Sequence, residues 1–285
     1  MNRLLLAAFI LLLSGPLPAA DSPPAGVDMT LEQVSEHVYF VQGVPGVATD
    51  NAGFISNAGV IVTGAGVVVF DALGTPSLSQ LLLEKIRQLT EQPVVRVIVS
   101  HYHADHIYGL QVFEDLNAEI LAPAGSGKYL ASEQAMERLE ERRFTLDPWV
   151  NDATRLVYPD RYLGEGMQFH LGDVEFVVTV VGNAHSDGDL VLFVEPDRVL
   201  FSGDIIFEGR VPFLGDSNTR HWVQILQRME KEQLVALVPG HGGVAEKPNE
   251  AISLTRRYLV YLREKMGRAV DDFVPFSEVY DETDW

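Results

Sequence analysis

Short apolar, β-branched runs punctuated by glycine and polar turns dominate this chain, and helical spacing takes over in only a few segments. Residues 31–43 predict a first strand with its flanks, centred on Val38, Tyr39, Phe40 and Val41. Residues 53–62 and 66–71 predict two more, turned at Gly64-Ala65-Gly66. Residues 77–89 have helical spacing, and Pro76 suits the entrance because that position needs no intrahelical N–H. Residues 94–99 predict a buried strand, 105–116 begin a helix, 118–123 give another strand, and 126–141 a polar helix. The stretch 142–161, with Trp149 and two prolines, is the least regular: a site border or a long connection. Segments 167–171 and 174–181 pair through Gly172-Asp173, and 190–193 and 199–201 through the turn 195–198. A helix over 217–231 is capped by Ser217 or Asn218, and 249–265 forms the last clear helix before an acidic tail. No internal repeat is visible. Hairpins occupy the first half, where a dinucleotide-binding fold needs crossover helices, so the pattern predicts two sheets covered by outer helices.

The N-terminus changes the picture. Met1-Asn2-Arg3, an apolar run over 4–13 and the small residues ending at Ala19-Ala20 read as a secretory signal peptide, too short to span a bilayer comfortably. The expectation is cleavage near Ala20, leaving 21–285 as one domain in the periplasm, with no membrane attachment after cleavage. The chain has no cysteine, so no disulfide framework is available to an exported protein. Its 21 basic and 40 acidic side chains give a formal charge of −19, which opposes nucleic acid and anionic membranes as partners.

The chemistry concentrates in His101-Tyr102-His103-Ala104-Asp105-His106. Three imidazoles and a carboxylate in six residues suit zinc or another first-row divalent ion. In an extended segment His101 and His103 point the same way, while Asp105 and His106 lie where the loop turns into a helix and reach in another direction. Three further residues share one context, a small polar turn after a β-rich run: His185, Asp204 and His241. Gly125-Ser126-Gly127-Lys128 lacks the spacing and the Ser or Thr of a nucleotide phosphate loop.

On these residues the chain resembles the metallo-β-lactamase superfamily, from about Leu31 to Gly243. The resemblance implies a four-layer αβ/βα sandwich of the α/β class with metals at one edge of two sheets. It assigns His101, His103 and His185 to a first zinc, Asp105, His106 and His241 to a second, and Asp204 to a bridge between them like that of glyoxalase II. It implies two zinc ions per chain, with iron the second choice, and a metal-bound hydroxide that attacks a carbonyl of a small ester, thioester, lactone or lactam. Asp105 and Asp204 are then the catalytic carboxylates, and Asp71 hydrogen-bonds the histidine loop.

Within that family the overall resemblance is to exported metallohydrolases associated with quinoprotein or sulfur-oxidation systems; a periplasmic pathway partner is not identified by one chain. Two alternatives stand beside this reading. One is a β-lactamase with Asp204 where many have cysteine and Phe207 where many have a drug-binding lysine, with Arg210 or Arg220 as a substitute charge. The other is a periplasmic metal-binding relay without turnover. The expected substrate wall is Trp149, Phe207, Arg210, Phe213, Asn218 and His221, chosen by their order relative to the ligands.

Overall fold

The computed structural model describes residues 22–283. The signal-peptide reading of residues 1–20 lies outside the described residues. Two mixed sheets lie face to face with helices on both outer faces, the four-layer αβ/βα sandwich. One sheet has seven strands in the order β1 (Leu31–Gln33), β2 (Val38–Val41), β3 (Ala58–Thr63), β4 (Gly66–Phe70), β5 (Val94–Ile98), β6 (Glu119–Pro123) and β7 (Arg161–Leu163). The other runs β12 (Ala236–Pro239), β11 (Val199–Gly203), β10 (Asp189–Glu195), β9 (Val174–Gly182) and β8 (Met167–Leu171). β4 to β7 pair in parallel, as do β11 and β12; the remaining pairs are antiparallel.

Strand alternation sorts the core into three slabs. On β4, Val67 and Val69 face outward to the helix α1 (Pro76–Leu89), packing with Leu78, Leu82 and Ile86. Val68 and Phe70 face inward and meet Phe176, Leu192 and Phe201 of the second sheet. Phe70 and Phe201 touch across this interface with ring centroids 5.3 Å apart. Gly59 on β3 admits that contact, because a Cβ there would stand 2.2 Å from the Phe201 ring. On the far side, Val191, Leu200 and Leu237 pack against Trp222, Ile225 and Leu226 of α6 (Thr219–Met229) and Ile252 and Leu259 of α7 (Pro248–Asp271). A core this extensive, buried between the sheets and under the helices, needs no disulfide.

Several local expectations are refined. The single strand expected over 31–43 is a hairpin, β1 with β2. The strand expected from residue 53 starts at Ala58, because residues 51–56 form turns. The helix begun at Asp105 is two short ones, α2 (Ala104–Ile107) and α3 (Leu110–Glu114). The polar helix after Ser126 is broken at Ala131-Ser132 into α4 (Ser126–Leu130) and α5 (Glu133–Thr145), so it enters the stretch read as irregular. Strand β7 was not foreseen, and the acidic tail holds a short helix, α8 (Phe276–Glu282). Of the two expected caps for the later helix, Asn218 serves, accepting from His221 N–H at 3.1 Å, and Pro76 opens its helix as expected, with Thr75 before it accepting from Leu78 N–H at 3.2 Å. Among the described residues no helix is long and apolar enough to cross a membrane.

One buried amide ties the two sheets at the edge where the parallel strands end. The Asn57 amide donates to Pro239 and Gly242 carbonyls at 2.8 and 2.9 Å and accepts from Gly43 N–H at 2.9 Å. Each bond contributes about 1 kcal/mol net. We therefore expect Asn57→Ala to destabilise the fold by about 3 kcal/mol and lower Tm by roughly 6–12 °C in thermal denaturation. An unchanged Tm would show that the loop after β12 is held by something else.

Candidate metal centre

Every donor of the sequence-derived set comes from the carboxyl end of a strand or the turn after it. Asp71 follows β4, the 101–106 run follows β5, His185 lies between β9 and β10, Asp204 follows β11 and His241 follows β12. Because the two sheets stack, these ends converge. His101, His103, His185 and Asp204 form one group of potential ligands, and Asp105, His106 and His241 form a second, with the donor atoms of each group within 4.8 Å of one another.

Asp204 touches both groups. Its Oδ2 lies 3.4 Å from His185 Nε2 and 3.3 Å from His241 Nε2, and its Oδ1 3.4 Å from His106 Nε2. Asp105 Oδ2 lies 3.3 Å from His241 Nε2 and 3.5 Å from His106 Nε2. His103 Nδ1 faces His185 Nε2 at 3.0 Å. Donors bound at about 2.0–2.2 Å to one tetrahedral ion stand roughly 3.3–3.6 Å apart, so the carboxylate–imidazole spacings fit edges of such a shell, and the His103–His185 approach is somewhat closer. His101 Nε2, His106 Nε2 and Asp204 Oδ1 are buried without a hydrogen-bond partner. Buried polar atoms left unpaired are costly, and three aimed into one cluster fit cation binding.

The far sides of the rings are fixed by hydrogen bonds. Asp71 accepts from Ser100 N–H and Ser100 Oγ–H, both at 2.7 Å, and from His106 Nδ1–H at 2.9 Å. Since the Ser100 hydroxyl has one proton and gives it to Asp71, it accepts from His101 Nδ1–H at 2.9 Å. Both imidazoles are thereby set in the tautomer that leaves Nε2 bare. Asp71 does this from the left-handed region, φ +63°, which aspartate tolerates better than most residues. His241 Nδ1–H donates to the Ile55 carbonyl at 2.7 Å. Asp189 accepts from Ala184 and Ser186 N–H at 3.0 Å each and clamps the turn that carries His185. Gly240 is required beside Asp204, because a Cβ would lie 2.0 Å from Asp204 Oδ1.

The electrostatics divide the imidazoles. Burial, with neighbouring histidines, holds His101 well below its ordinary range, burial lowers His103, and burial brings His185 down to about 4. All three offer neutral lone pairs at neutral pH. His241 is raised to about 9 and His106 well up, because Asp204 and Asp105 outweigh their burial. Burial pushes Asp105 and Asp204 upward too, but the facing imidazoles hold both carboxyls below their usual range. Burial raises Asp189 to about 6 in spite of its hydrogen bonds.

A cavity of about 400 Å³ opens over Asp105, Asp204 and His241. Of the expected wall, Arg210 and Phe213 line it. Phe213 is exposed and meets the His103 ring edge-on, centroids 6.0 Å apart. Arg210 Nη1 is 3.0 Å from His241 Nδ1, but that nitrogen already donates to Ile55, so the guanidinium keeps its donors free of it. Phe207 is buried behind the ligands, stacked on His241 at 6.0 Å. Trp149 sits elsewhere, its indole donating to the Pro24 carbonyl at 3.2 Å. Asn218 and His221 serve the entrance of α6, with His221 Nε2 donating to the Val181 carbonyl at 3.0 Å. Tyr129, Gln134, Arg138 and Arg142 also line the cavity and were not foreseen. Their helical spacing was visible, but a polar helix face reads from sequence as solvated.

The family model for the metallo-beta-lactamase superfamily matches residues 51–241. The chain belongs to that superfamily. Among curated members it is 23% identical over 210 residues to metallo-beta-lactamase IND-1 of Chryseobacterium indologenes, covering 72% of this chain and 77% of that one. It is 31% identical over 157 residues to the acyl-coenzyme A thioesterase MBLAC2 of Gallus gallus, covering 50% of this chain and 55% of the thioesterase. The structure of a metallo-beta-lactamase from Pontibacter korlensis superposes with a TM-score of 0.66 at 18% identity, over 81% of this chain and 99% of that one, a likeness of fold. The two donor groups and the superfamily membership together support a binuclear metal-dependent hydrolase acting on small carbonyl or ester-type substrates.

Asp71→Ala is expected to lower metal affinity about 10–100-fold in competition with a chromogenic chelator, because two ring orientations are lost. Unchanged affinity would mean that packing alone orients His101 and His106.

Proposed function

We propose that the protein is an exported dizinc hydrolase of small acyl compounds: esters, thioesters, lactones or lactams. The observation that carries the reading is Asp204, whose two oxygens address both imidazole groups at 3.3–3.4 Å, a bridging placement for two ions. The all nitrogen-and-oxygen donor set suits zinc, as it does iron. Export rests on the N-terminal pattern of residues 1–20. A place beside quinoprotein or sulfur-oxidation systems remains part of this proposal and rests on resemblance.

A pair of zinc ions, when bound, supplies Lewis acidity toward a carbonyl oxygen and makes a water nucleophilic at neutral pH. His101, His103 and His185 hold one side of the site as neutral donors, and His106 and His241 hold the other. Asp105 is the more open carboxylate, with 23% of its side chain exposed against 5% for Asp204, and it faces the cavity. It orients the attacking water and takes its proton. Phe213 covers His103 and limits water access from that side. Asp204 stays ionised between the two imidazole groups and holds them in register.

A β-lactamase activity is the second reading, and Arg210 favours it. No cation stands at Phe207, which is buried, but Arg210 presents its guanidinium to the cavity where a lactam carboxylate could be held.

The deciding experiment is steady-state hydrolysis by the zinc-loaded mature chain of a cephalosporin, an acyl thioester and a γ-lactone. We expect turnover of the thioester or lactone, with metal analysis giving two zinc ions per chain. Rapid cephalosporin turnover alone would move the assignment to the second reading. Turnover of none, with full metal occupancy, would overturn the hydrolase reading. Asp105→Asn is expected to cost at least ~100-fold in kcat with the far-UV spectrum unchanged, the scale of a lost general base. Undiminished kcat would remove Asp105 from the chemistry.

A further inference from the structure

The helix α5 presents Gln134, Arg138 and Arg142 at successive four-residue intervals, and all three line the cavity that contains Asp105, Asp204 and His241. The adjoining face of the helix carries Ala135 and Leu139, which are buried. Packing of that apolar face therefore fixes the direction of the polar stripe. Arg138 makes one exposed pair, Nη1 to Glu141 Oε2 at 2.8 Å, which leaves most of its donors open. Arg142 is half-buried, and no carboxylate lies within ion-pair distance of it among the described residues. It also lines a smaller recess of about 40 Å³ beside Asp105 and Ala104.

Two like charges one helical turn apart repel each other, and a half-buried guanidinium without a partner loses hydration that nothing returns. In a chain of charge −19, with Glu133, Glu137, Glu140 and Glu141 on the same helix, a bland helix face would pair both arginines; Arg138 pairs with Glu141, while Arg142 has no such pair among the described residues. Both line the mouth of the metal centre. An oxyanion arriving there would find two guanidinium forks and an amide donor along one helix face, the groups that arginine offers best to carboxylate and phosphate, against the single further carboxylate of Asp216 on the same wall.

We propose that the Gln134–Arg138–Arg142 stripe is a substrate-selecting subsite that binds an oxyanion group carried by the acyl substrate at a distance from its scissile carbonyl. This rests on the hydrolase reading given above and narrows it to anionic acyl compounds.

The test compares two esters with the same leaving group, mono(4-nitrophenyl) glutarate and 4-nitrophenyl butyrate, on the zinc-loaded chain and on R138Q/R142Q. Binding of free glutarate and of inorganic phosphate is measured alongside by calorimetry. We expect the wild-type chain to favour the glutarate ester in kcat/KM and the double variant to lose that preference at least tenfold. Arg142→Lys should keep part of it, since the charge remains but the fork does not. An unchanged ratio overturns the subsite. If neither ester is hydrolysed, the hydrolase reading fails by itself, and binding decides the subsite. A Kd for glutarate or phosphate weakened at least tenfold in R138Q/R142Q sustains it, with the responding anion identifying carboxylate or phosphoryl recognition, and equal Kd values overturn it. Circular dichroism and zinc content control for folding; should the double variant not fold, Arg138→Gln alone, at an exposed position, carries the same comparison.

Discussion

Two carboxylates, Asp204 buried and Asp105 partly so, set against five imidazoles are the constraint on which this structure turns. Asp105 and Asp204 cannot be left as bare anions in a desolvated site, and the histidines around them cannot all be protonated together. The observed balance leaves His101, His103 and His185 neutral while His106 and His241 are drawn toward the charged form by the carboxylates. That asymmetry separates a set of ready lone pairs from a set in which positive charge is already favoured. A cation held there would displace the protons that the second set attracts, which would link metal affinity to pH.

Such a cluster stays together only if the backbone segments that carry it are over-determined. Three devices accomplish this. The inter-sheet core around Phe70 and Phe201 fixes the two strand bundles relative to each other. Asn57 straps the loop after β12, and with it His241, to the first sheet. Asp71, held in an unusual backbone conformation at the end of β4, reaches two ligand histidines, one directly and one through Ser100. The strain of that left-handed residue is set against three charge-assisted hydrogen bonds, each stronger than a neutral one. Fold and site are thus stabilised by the same contacts, and the strand ends cannot drift without breaking them.

Different parts of this arrangement were legible in sequence to different degrees, for physical reasons. The run from His101 to His106 is a local signal: ligand types packed at spacings that only an extended-to-helical turn would use. His185, Asp204 and His241 share a recognisable context, because a strand that ends at a site must end in a small polar turn. Asn57, Ser100 and Asp189 act through hydrogen bonds to partners chosen by the three-dimensional fold, and nothing in their own neighbourhoods marks them. Trp149, Asn218 and His221 show the opposite case: their order along the chain suggested the cavity, but order does not encode side-chain direction, and each is engaged elsewhere. The hairpin of β1 and β2 escaped for a related reason, since a three-residue edge strand has almost no periodicity to read.

The cavity above the cluster extends the same electrostatic logic outward. Two dications would outweigh the two carboxylates beneath them, and Arg210 on one side and the α5 arginines on the other add positive charge to the walls. The protein as a whole is strongly acidic, so this mouth is a local reversal of the field that a small molecule meets elsewhere on the surface. A neutral ester gains little from such a reversal. An anionic one would be repelled over most of the surface and drawn to one opening once metals were bound there, so the acidic net charge would sharpen the selectivity proposed for that opening.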